Sequence, residues 1–413
     1  MKKSLLFLTL LIFSVCSVHS QIVNIPDTNF KNYLLGEATI NINADTEIQV
    51  TEAEAFTGYL ACNNLGIGDL TGLEAFINIT ELYVSDNNIT SLDVSANTAL
   101  HTLFCERNNI PSLDVTSNTA LVSIQFSDNL LTTLDVSNNT LLQTLNCNRN
   151  NLTALAVSNN TNLGSLLVRE NQLTTLDVSN NTSLTSLVCS GNNLGTLDVS
   201  NNTALVFLEC GQAGLSTLDV SNNTALINLD CHSNSLEILD VSNNLALDRL
   251  DCYFNNLTEL DLSANSNLTI LWCSNNDLSS LNVANGNNTN VTYFNTTSNP
   301  NLTCIQVDDV AYASTNWTDI DAVANFNEDC NSLSIADFNK YDISIYPNPA
   351  NDIMYIAHNN QVTHYGIASI TGQLMEKGVL TSNIHLDKLP EGVYVLSLYT
   401  IDGHKIIKKI IKN

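Results

Sequence analysis

Basic side chains are scarce in this 413-residue chain, where 14 lysines and arginines stand against 41 aspartates and glutamates for a formal net charge of −27. The deficit is local: Gln21 to Asn331 holds 5 basic and 34 acidic residues, a net −29, whereas residues 332–413 hold 7 of each. So acidic a surface excludes nucleic acid and anionic membrane as direct partners, because phosphates are held by lysine and arginine. A cationic partner or bound divalent cations fit better. Long apolar runs are missing too. Beyond the first twenty residues none reaches the roughly 20 needed for a membrane-spanning helix. Nor is there a nucleophile elbow, an HExxH pair or a phosphate-binding loop. His232 beside Asp230 and Asp251 is the one suggestive triplet, and it has no nucleophile, so an enzyme is not expected.

The first twenty residues, MKKSLLFLTLLIFSVCSVHS, combine two lysines, an apolar run and a small-residue end. Residues 1–20 therefore read as a secretory signal peptide, and the mature chain is expected outside the cytoplasm.

The dominant feature is a period. Leucine returns every 21 residues at Leu92, Leu113, Leu134, Leu155, Leu176, Leu197, Leu218, Leu239, Leu260 and Leu281. A unit this short cannot shield its own apolar face, so units must stack in phase into a solenoid whose core runs along its axis. One unit reads L-x-x-L-x-C-x-x-N-x-L-x-x-L-D-V-S-N-N-T, as at Leu184, Leu187, Cys189, Asn192, Leu194, Leu197, Asp198 and Val199. Over residues 60–307 this resembles the leucine-rich repeat family in its short, internalin-like form, with about 12 coils of 21–22 residues. The resemblance implies an α/β-type solenoid with a parallel β-sheet on the concave face.

Two polar columns accompany the leucines. Asn87, Asn108, Asn129, Asn150, Asn171, Asn192, Asn234, Asn255 and Asn276 follow the strands, where an amide can donate to carbonyls of the adjacent coil; Ala213 interrupts them. Asp93, Asp114, Asp135, Asp177, Asp198, Asp219, Asp240 and Asp261 recur on the convex side. Their Asp-Ser-Asn-Asn-Thr setting suits turn capping, with a cation-binding stripe as the alternative. Cys105, Cys147, Cys189, Cys210, Cys231, Cys252 and Cys273 share one inward column. They read as small buried hydrophobes carrying free thiols, and their parallel vectors cannot converge on a tetrahedral zinc site.

The ends differ. Residues 21–59 read as an N-terminal helical cap in which Asp27 or Thr28 starts a helix closed by Gly36. Asn41, Asn43, Asp45, Glu47, Gln49 and Glu52 fall at positions 1, 3, 5, 7, 9 and 12 of a loop that resembles a degenerate EF-hand. Thr46 replaces its turn glycine, and only Asp45 and Glu52 among the side-chain ligands are carboxylates. Weak calcium binding through Asn41, Asn43, Asp45, Glu47 and Glu52 is one expectation; a cap that merely keeps the shape is the other. No other cofactor is expected. Residues 308–331 read as a C-terminal cap with a disulfide between Cys304 and Cys330, and residues 332–341 as a linker.

Residues 342–413 alternate apolar and polar positions in short runs, the pattern of a small all-β sandwich. Tyr346-Pro347-Asn348-Pro349, Thr371-Gly372, Leu389-Pro390-Glu391-Gly392-Val393-Tyr394 and a lysine-bearing terminal strand, in that order, resemble the type A C-terminal sorting domain of Bacteroidetes type IX secretion. That resemblance implies handling by the type IX machinery, followed by surface attachment or release.

On the expected concave sheet Glu209, Asp230 and Asp251 fall on consecutive strands about 4.8 Å apart. Such a carboxylate ladder must be solvated, partly protonated or neutralised by a partner. With His232, Tyr253, Trp272 and Tyr293 it forms a candidate ligand-binding patch; a merely solvated face is the alternative. The expected function is a secreted or cell-surface recognition protein that adheres to an extracellular protein, as a monomer. Glycan capture, with aromatic rings stacking on sugars, is the second reading.

Overall fold

The computed structural model describes residues 21–330, 343–357, 362–370, 373–380, 383–401 and 405–413. The expected signal peptide, the linker 332–341 and the Thr371-Gly372 turn lie outside these residues. The chain divides into Met1–Cys330 and Asn331–Asn413.

In the first unit, twelve parallel strands form one sheet, from Gly58–Ala61 through Thr144–Asn146 and Asn228–Asp230 to Tyr293–Asn295. Register advances by one repeat per strand, as in Leu166↔Leu187 and Leu187↔Leu208. The middle residue of each strand is an inward leucine, isoleucine or phenylalanine, and the cysteine column packs just after it; all are buried in a single continuous core. The first strand starts two residues inside the segment read as cap. The α-helical component of the expected α/β solenoid is confined to the ends, at Thr28–Gly36, Val50–Ala55 and Val310–Asn316; turns carry the convex side of most coils, and a second parallel sheet of Glu259–Asp261, Ser280–Asn282, Cys304–Gln306 and Asn325–Asn327 runs through the last ones.

Each coil leaves its strand through a residue in the left-handed region. Asp86, Arg107, Asp128, Arg149, Glu170, Gln212, Ser233, Phe254 and Asn275 occupy it at φ between 51° and 59°. The conformation costs a non-glycine residue about 1–2 kcal/mol, and in every one of these coils except that of Gln212, where Ala213 follows, the next residue is an asparagine that offsets it. Asn108 Nδ2 donates to Val84 O at 3.0 Å in the preceding coil and its Oδ1 accepts from Ile89 N at 3.0 Å. Neighbouring coils repeat the pattern.

A second amide column went unrecognised in the sequence. Asn97, Asn118, Asn139, Asn160, Asn181, Asn202, Asn223, Asn244 and Asn265 are fully buried on the convex side. Asn181 Nδ2 donates to Val157 O at 3.0 Å and to Asn160 O at 2.8 Å. The oxygens of these nine amides accept no hydrogen bond, so the column is used for its donors alone.

Both ends of the core are covered. Asp27 caps the first helix with one oxygen, which accepts from Asn29 N and Phe30 N. Its other oxygen accepts from Gly68 N and Asp69 N, tying the cap to the first coil. At the far end Trp317 stacks on Phe294 with centroids 4.1 Å apart, and Cys304 is bridged to Cys330.

The second unit is antiparallel. Ser344–Tyr346, Ile353–Ala357 and Asn383–His385 form one sheet. Leu374–Val379, Val362–Ser369, Gly392–Thr400 and Lys405–Lys412 form the other, in that spatial order. Asn348 explains part of its motif: its amide donates to Lys409 O and accepts from Ile411 N, both at 2.9 Å, pairing the outer edge of the terminal strand. Tyr394 hydroxyl donates to Pro390 O at 2.8 Å and pins the turn before its strand.

Candidate functional site

Strand register brings the three concave carboxylates together as the repeat requires, with Glu209 opposite Asp230 and Asp230 opposite Asp251. Their neutralisation is partly internal, which the sequence had left to solvent, protons or a partner. Arg249 approaches Asp251 Oδ2 at 2.7 Å, His232 Nδ1 lies 2.5 Å from Asp230 Oδ1, and Arg169 reaches Glu209 at 3.4 Å. Ser190 hydroxyl also donates to Glu209, at 2.8 Å. The Asp230 bond holds the His232 pKa above its usual value against the opposing effect of burial. Asp251 is 2% exposed, and burial pushes its pKa up although Arg249 pulls the other way.

Beside this ladder runs a file of rings. His232 stacks on Tyr253 at 4.7 Å and 10°, Tyr253 on Trp272 at 4.2 Å and 23°, and Tyr293 meets Trp272 edge-on at 5.9 Å. Trp272 Nε1 donates to Ser274 hydroxyl at 2.7 Å, which fixes the indole. The file starts from Gly211: a Cβ there would lie 2.3 Å from His232 Cε1, so the imidazole occupies the space that glycine leaves empty. Phe207, Glu209, Asp230, Asp248, Arg249, Asp251 and Ile270 line a cleft of about 420 Å3 next to the rings. All seven concave residues singled out in the sequence therefore fall in one region of the sheet. Arg169, Ser190 and Gly211 belong to it as well, and they share the repeat column of His232 and Tyr253. Reading down that column would have found them; reading strand residues alone did not. Phe254 stands apart, a bulky side chain in a left-handed position, 55% exposed and edge-on to Tyr253. Every other coil with a left-handed residue here uses a polar side chain or glycine.

In the N-terminal cap, Asn43, Asp45, Gln49 and Glu52 line one hollow with Ile22, Ile42 and Thr51. Asn43 Nδ2 contacts Asp45 Oδ2 at 2.9 Å and Gln49 Oε1 at 2.6 Å, and Glu52 accepts from Asn43 N and Gln49 N. Glu47 turns away to Lys31 at 2.7 Å. Asn41 donates to Leu35 O and Asp45 O while its own oxygen, buried, accepts nothing. Two carboxylates and two amides at the hollow suit calcium better than a transition metal. Among the described residues no three His, Cys, Asp or Glu side chains gather into a metal cluster.

The remaining chemistry-bearing columns lie in the core and in the turns. Among the described residues eight cysteines are free and buried, and burial pushes Cys147, Cys189 and Cys273 up to about 12. Burial favours the protonated thiol, which is a poor nucleophile and a poor metal ligand. The convex aspartates cap turns: Asp177 accepts from Ser179 N at 2.9 Å, and this serine's hydroxyl and amide lower the carboxyl's pKa. The same holds for Asp93, Asp135, Asp198 and Asp219. A carboxylate lowered by folding contributes stability above its unfolded pKa and loses it as pH falls through the folded value. The melting temperature is accordingly expected to drop steeply below about pH 4, and an Asp177→Asn, Asp198→Asn, Asp219→Asn variant to show a flatter acid limb in calorimetry. An unchanged acid limb would show that these caps do not control acid stability.

Residues 344–413 match the family described as secretion system C-terminal sorting domain. Internalin J of Listeria monocytogenes serotype 4b is 41% identical over 73 residues, which is 18% of this chain and only 8% of that protein's length. Among solved structures, the functional domain of internalin J from Listeria monocytogenes, described as including a cysteine ladder, superposes with a TM-score of 0.64 at 27% identity. That superposition covers 95% of this chain and 98% of the other. An internalin, InlF, from the same species shares the fold, with a TM-score of 0.58, 19% identity, and coverage of 77% of this chain and all of its own. No helix among the described residues is long and apolar enough to cross a membrane.

Proposed function

From a chain in which an internalin-like leucine-rich solenoid precedes a type IX secretion sorting domain, we propose that the exported protein is a monomeric recognition module rather than an enzyme. The last five strands of its concave sheet bind an extracellular protein, and nucleic acid is not a partner. The observation that carries this reading is the ring file beside paired charges. Stacked aromatics with fixed rotamers and charges already held in place make contact at low entropic cost, the composition of an interface centre. The neighbouring internalins support binding over catalysis.

Capture of glycans by ring stacking is less well supported. A sugar needs an open aromatic face, and Tyr253 is covered by His232 on one side and Trp272 on the other. A panel of extracellular matrix and cell-surface proteins, run beside a glycan array, tests the choice. Protein binding is expected, weakened at least ~30-fold by Trp272→Ala, which corresponds to a hot-spot loss of about 2 kcal/mol. Glycan binding abolished by Trp272→Ala, with no protein bound, would replace this reading by the capture one.

We also propose that the cap loop holds calcium weakly through Asn41, Asn43, Asp45, Gln49 and Glu52, with Glu47 contributing its backbone carbonyl. Few carboxylates place such a site in the ~10⁻⁴–10⁻³ M range of extracellular modules. At tenfold excess over Kd, calcium is expected to stabilise the folded chain by about 1.4 kcal/mol. Calorimetric titration of the full chain should show saturable heat that is lost in Asp45→Asn, Glu52→Gln; no heat up to 10 mM calcium removes the proposal.

A further inference from the structure

Large apolar side chains are unevenly exposed. Among the described residues 11 of 24 such side chains lie in residues 344–413, although that unit supplies far fewer residues than the solenoid. A water-facing side of an antiparallel sheet should carry polar residues at alternate positions. Register shows that it does not here. In the four-stranded sheet Ile407 pairs with Ser397 and Tyr399 with Lys405, so these residues share one side, opposite the buried Leu396, Leu398 and Ile410. Val379, Val393, Tyr399 and Ile407 are 66%, 41%, 39% and 43% exposed on that side. Lys377, Lys405 and Lys409 lie between them, and Lys405 sits 5.9 Å above the Tyr399 ring. Among the described residues of this face there is no carboxylate. Glu376 points to the other side, where it accepts from Tyr365 hydroxyl at 3.1 Å. Lysine at a sheet edge commonly deters aggregation, but that does not account for the apolar residues between.

We propose that this lysine-studded apolar face is the surface by which the type IX machinery takes hold of the chain, and that its partner is a machinery protein presenting apolar side chains fringed by carboxylates. Two observations select it. The outer edge of the terminal strand is already paired along Lys409–Asn413 by Asn348 and Ala350, which leaves the face, not that edge, for docking. The solenoid carries −29 and the sorting segment none, so a carboxylate-fringed receptor repels the cargo portion and attracts only the tail. The inference rests on the sorting role of residues 344–413 and is independent of what the concave sheet binds.

The test is export of the full chain in a host with a type IX system, scored as the fraction at the cell surface and in the medium. Tyr399→Glu, Ile407→Glu is expected to lower that fraction at least tenfold. Lys377→Glu, Lys405→Glu, Lys409→Glu, which alters no apolar packing, should do the same. Ile238→Glu, an exposed solenoid position, should leave it unchanged, and deletion of residues 344–413 marks full loss. Thermal melts of the purified variants separate misfolding from lost recognition. Export within twofold of wild type in both folded face variants, with the deletion still blocked, overturns the face and leaves the sorting role intact. Export of the deletion chain overturns the sorting role itself. Normal export combined with loss of binding to phosphatidylglycerol vesicles would make the face a lipid contact and also overturn the proposal.

Discussion

Asn181→Ala is expected to cost about 1–3 kcal/mol of stability, from two hydrogen bonds between buried groups at about 0.5–1.5 kcal/mol each. Two buried carbonyls, Val157 O and Asn160 O, each lose the amide donor and keep a backbone one, from Asn160 N and Leu163 N respectively. Part of the cost is returned because the amide oxygen, itself unpaired, leaves with the side chain. Asn181→Asp should be worse at neutral pH, since it aims a carboxylate at two carbonyls in the buried core, a loss of about 5 kcal/mol or more. The order is diagnostic. As pH falls and the introduced acid takes up a proton, it regains one donor, and the gap between the Asp and Ala variants should close. Urea unfolding followed by circular dichroism measures both. Equal stability of Asn181→Ala and wild type would mean that the convex amides do not hold the coils together. Because each coil touches only its neighbours, unfolding of either variant should also begin to split around this coil.

Gly211→Ala is the second. The added methyl would sit 2.3 Å and 2.4 Å from two His232 ring atoms, so the imidazole must swing away from Asp230 and from the Tyr253 face. The backbone at Gly211 is not left-handed, so the cost comes from overpacking, about 1–3 kcal/mol. Loss of the Asp230 bond should return the raised His232 pKa toward the ordinary value near 6.5. The sign follows from the direction of that shift. In wild type the His232–Asp230 contact contributes fully below the unfolded histidine pKa and fades as pH rises through the raised folded value. The variant's stability deficit should therefore be largest in mildly acidic solution and shrink toward alkaline pH. Partner binding should fall with it, because the ring file loses its first member. Histidine titration by NMR decides: a His232 pKa unchanged in Gly211→Ala would show that glycine does not seat the ring.

Much of this was legible in the chain. The 21-residue leucine step named the solenoid, its register and the inward columns, because a repeat that must stack in phase leaves no other arrangement. It also placed Glu209, Asp230 and Asp251 opposite one another, since strand pairing simply follows the period. The convex asparagine was missed although it recurs without a gap from Asn97 to Asn265. Asparagine is common in turns for local reasons, and nothing in one unit says that its amide reaches the coil before. The internal neutralisation of Glu209 and Asp251 was missed for a similar reason: Arg169 and Arg249 lie in other columns, and the reach of a long side chain is not written in periodicity.

The amino-acid order alone determined that the coils stack, which residues face inward, and that an exported solenoid is followed by a sorting segment. Burial and periodicity are one-dimensional properties, and one-dimensional information suffices for them. Tertiary structure alone decided which charges neutralise which, that the His232, Tyr253 and Trp272 rings cover one another, and that an apolar face of the terminal sheet lies open. Those outcomes depend on distances of a few ångströms between side chains from different coils or strands, where rotamer and packing select among partners that the sequence leaves equally near.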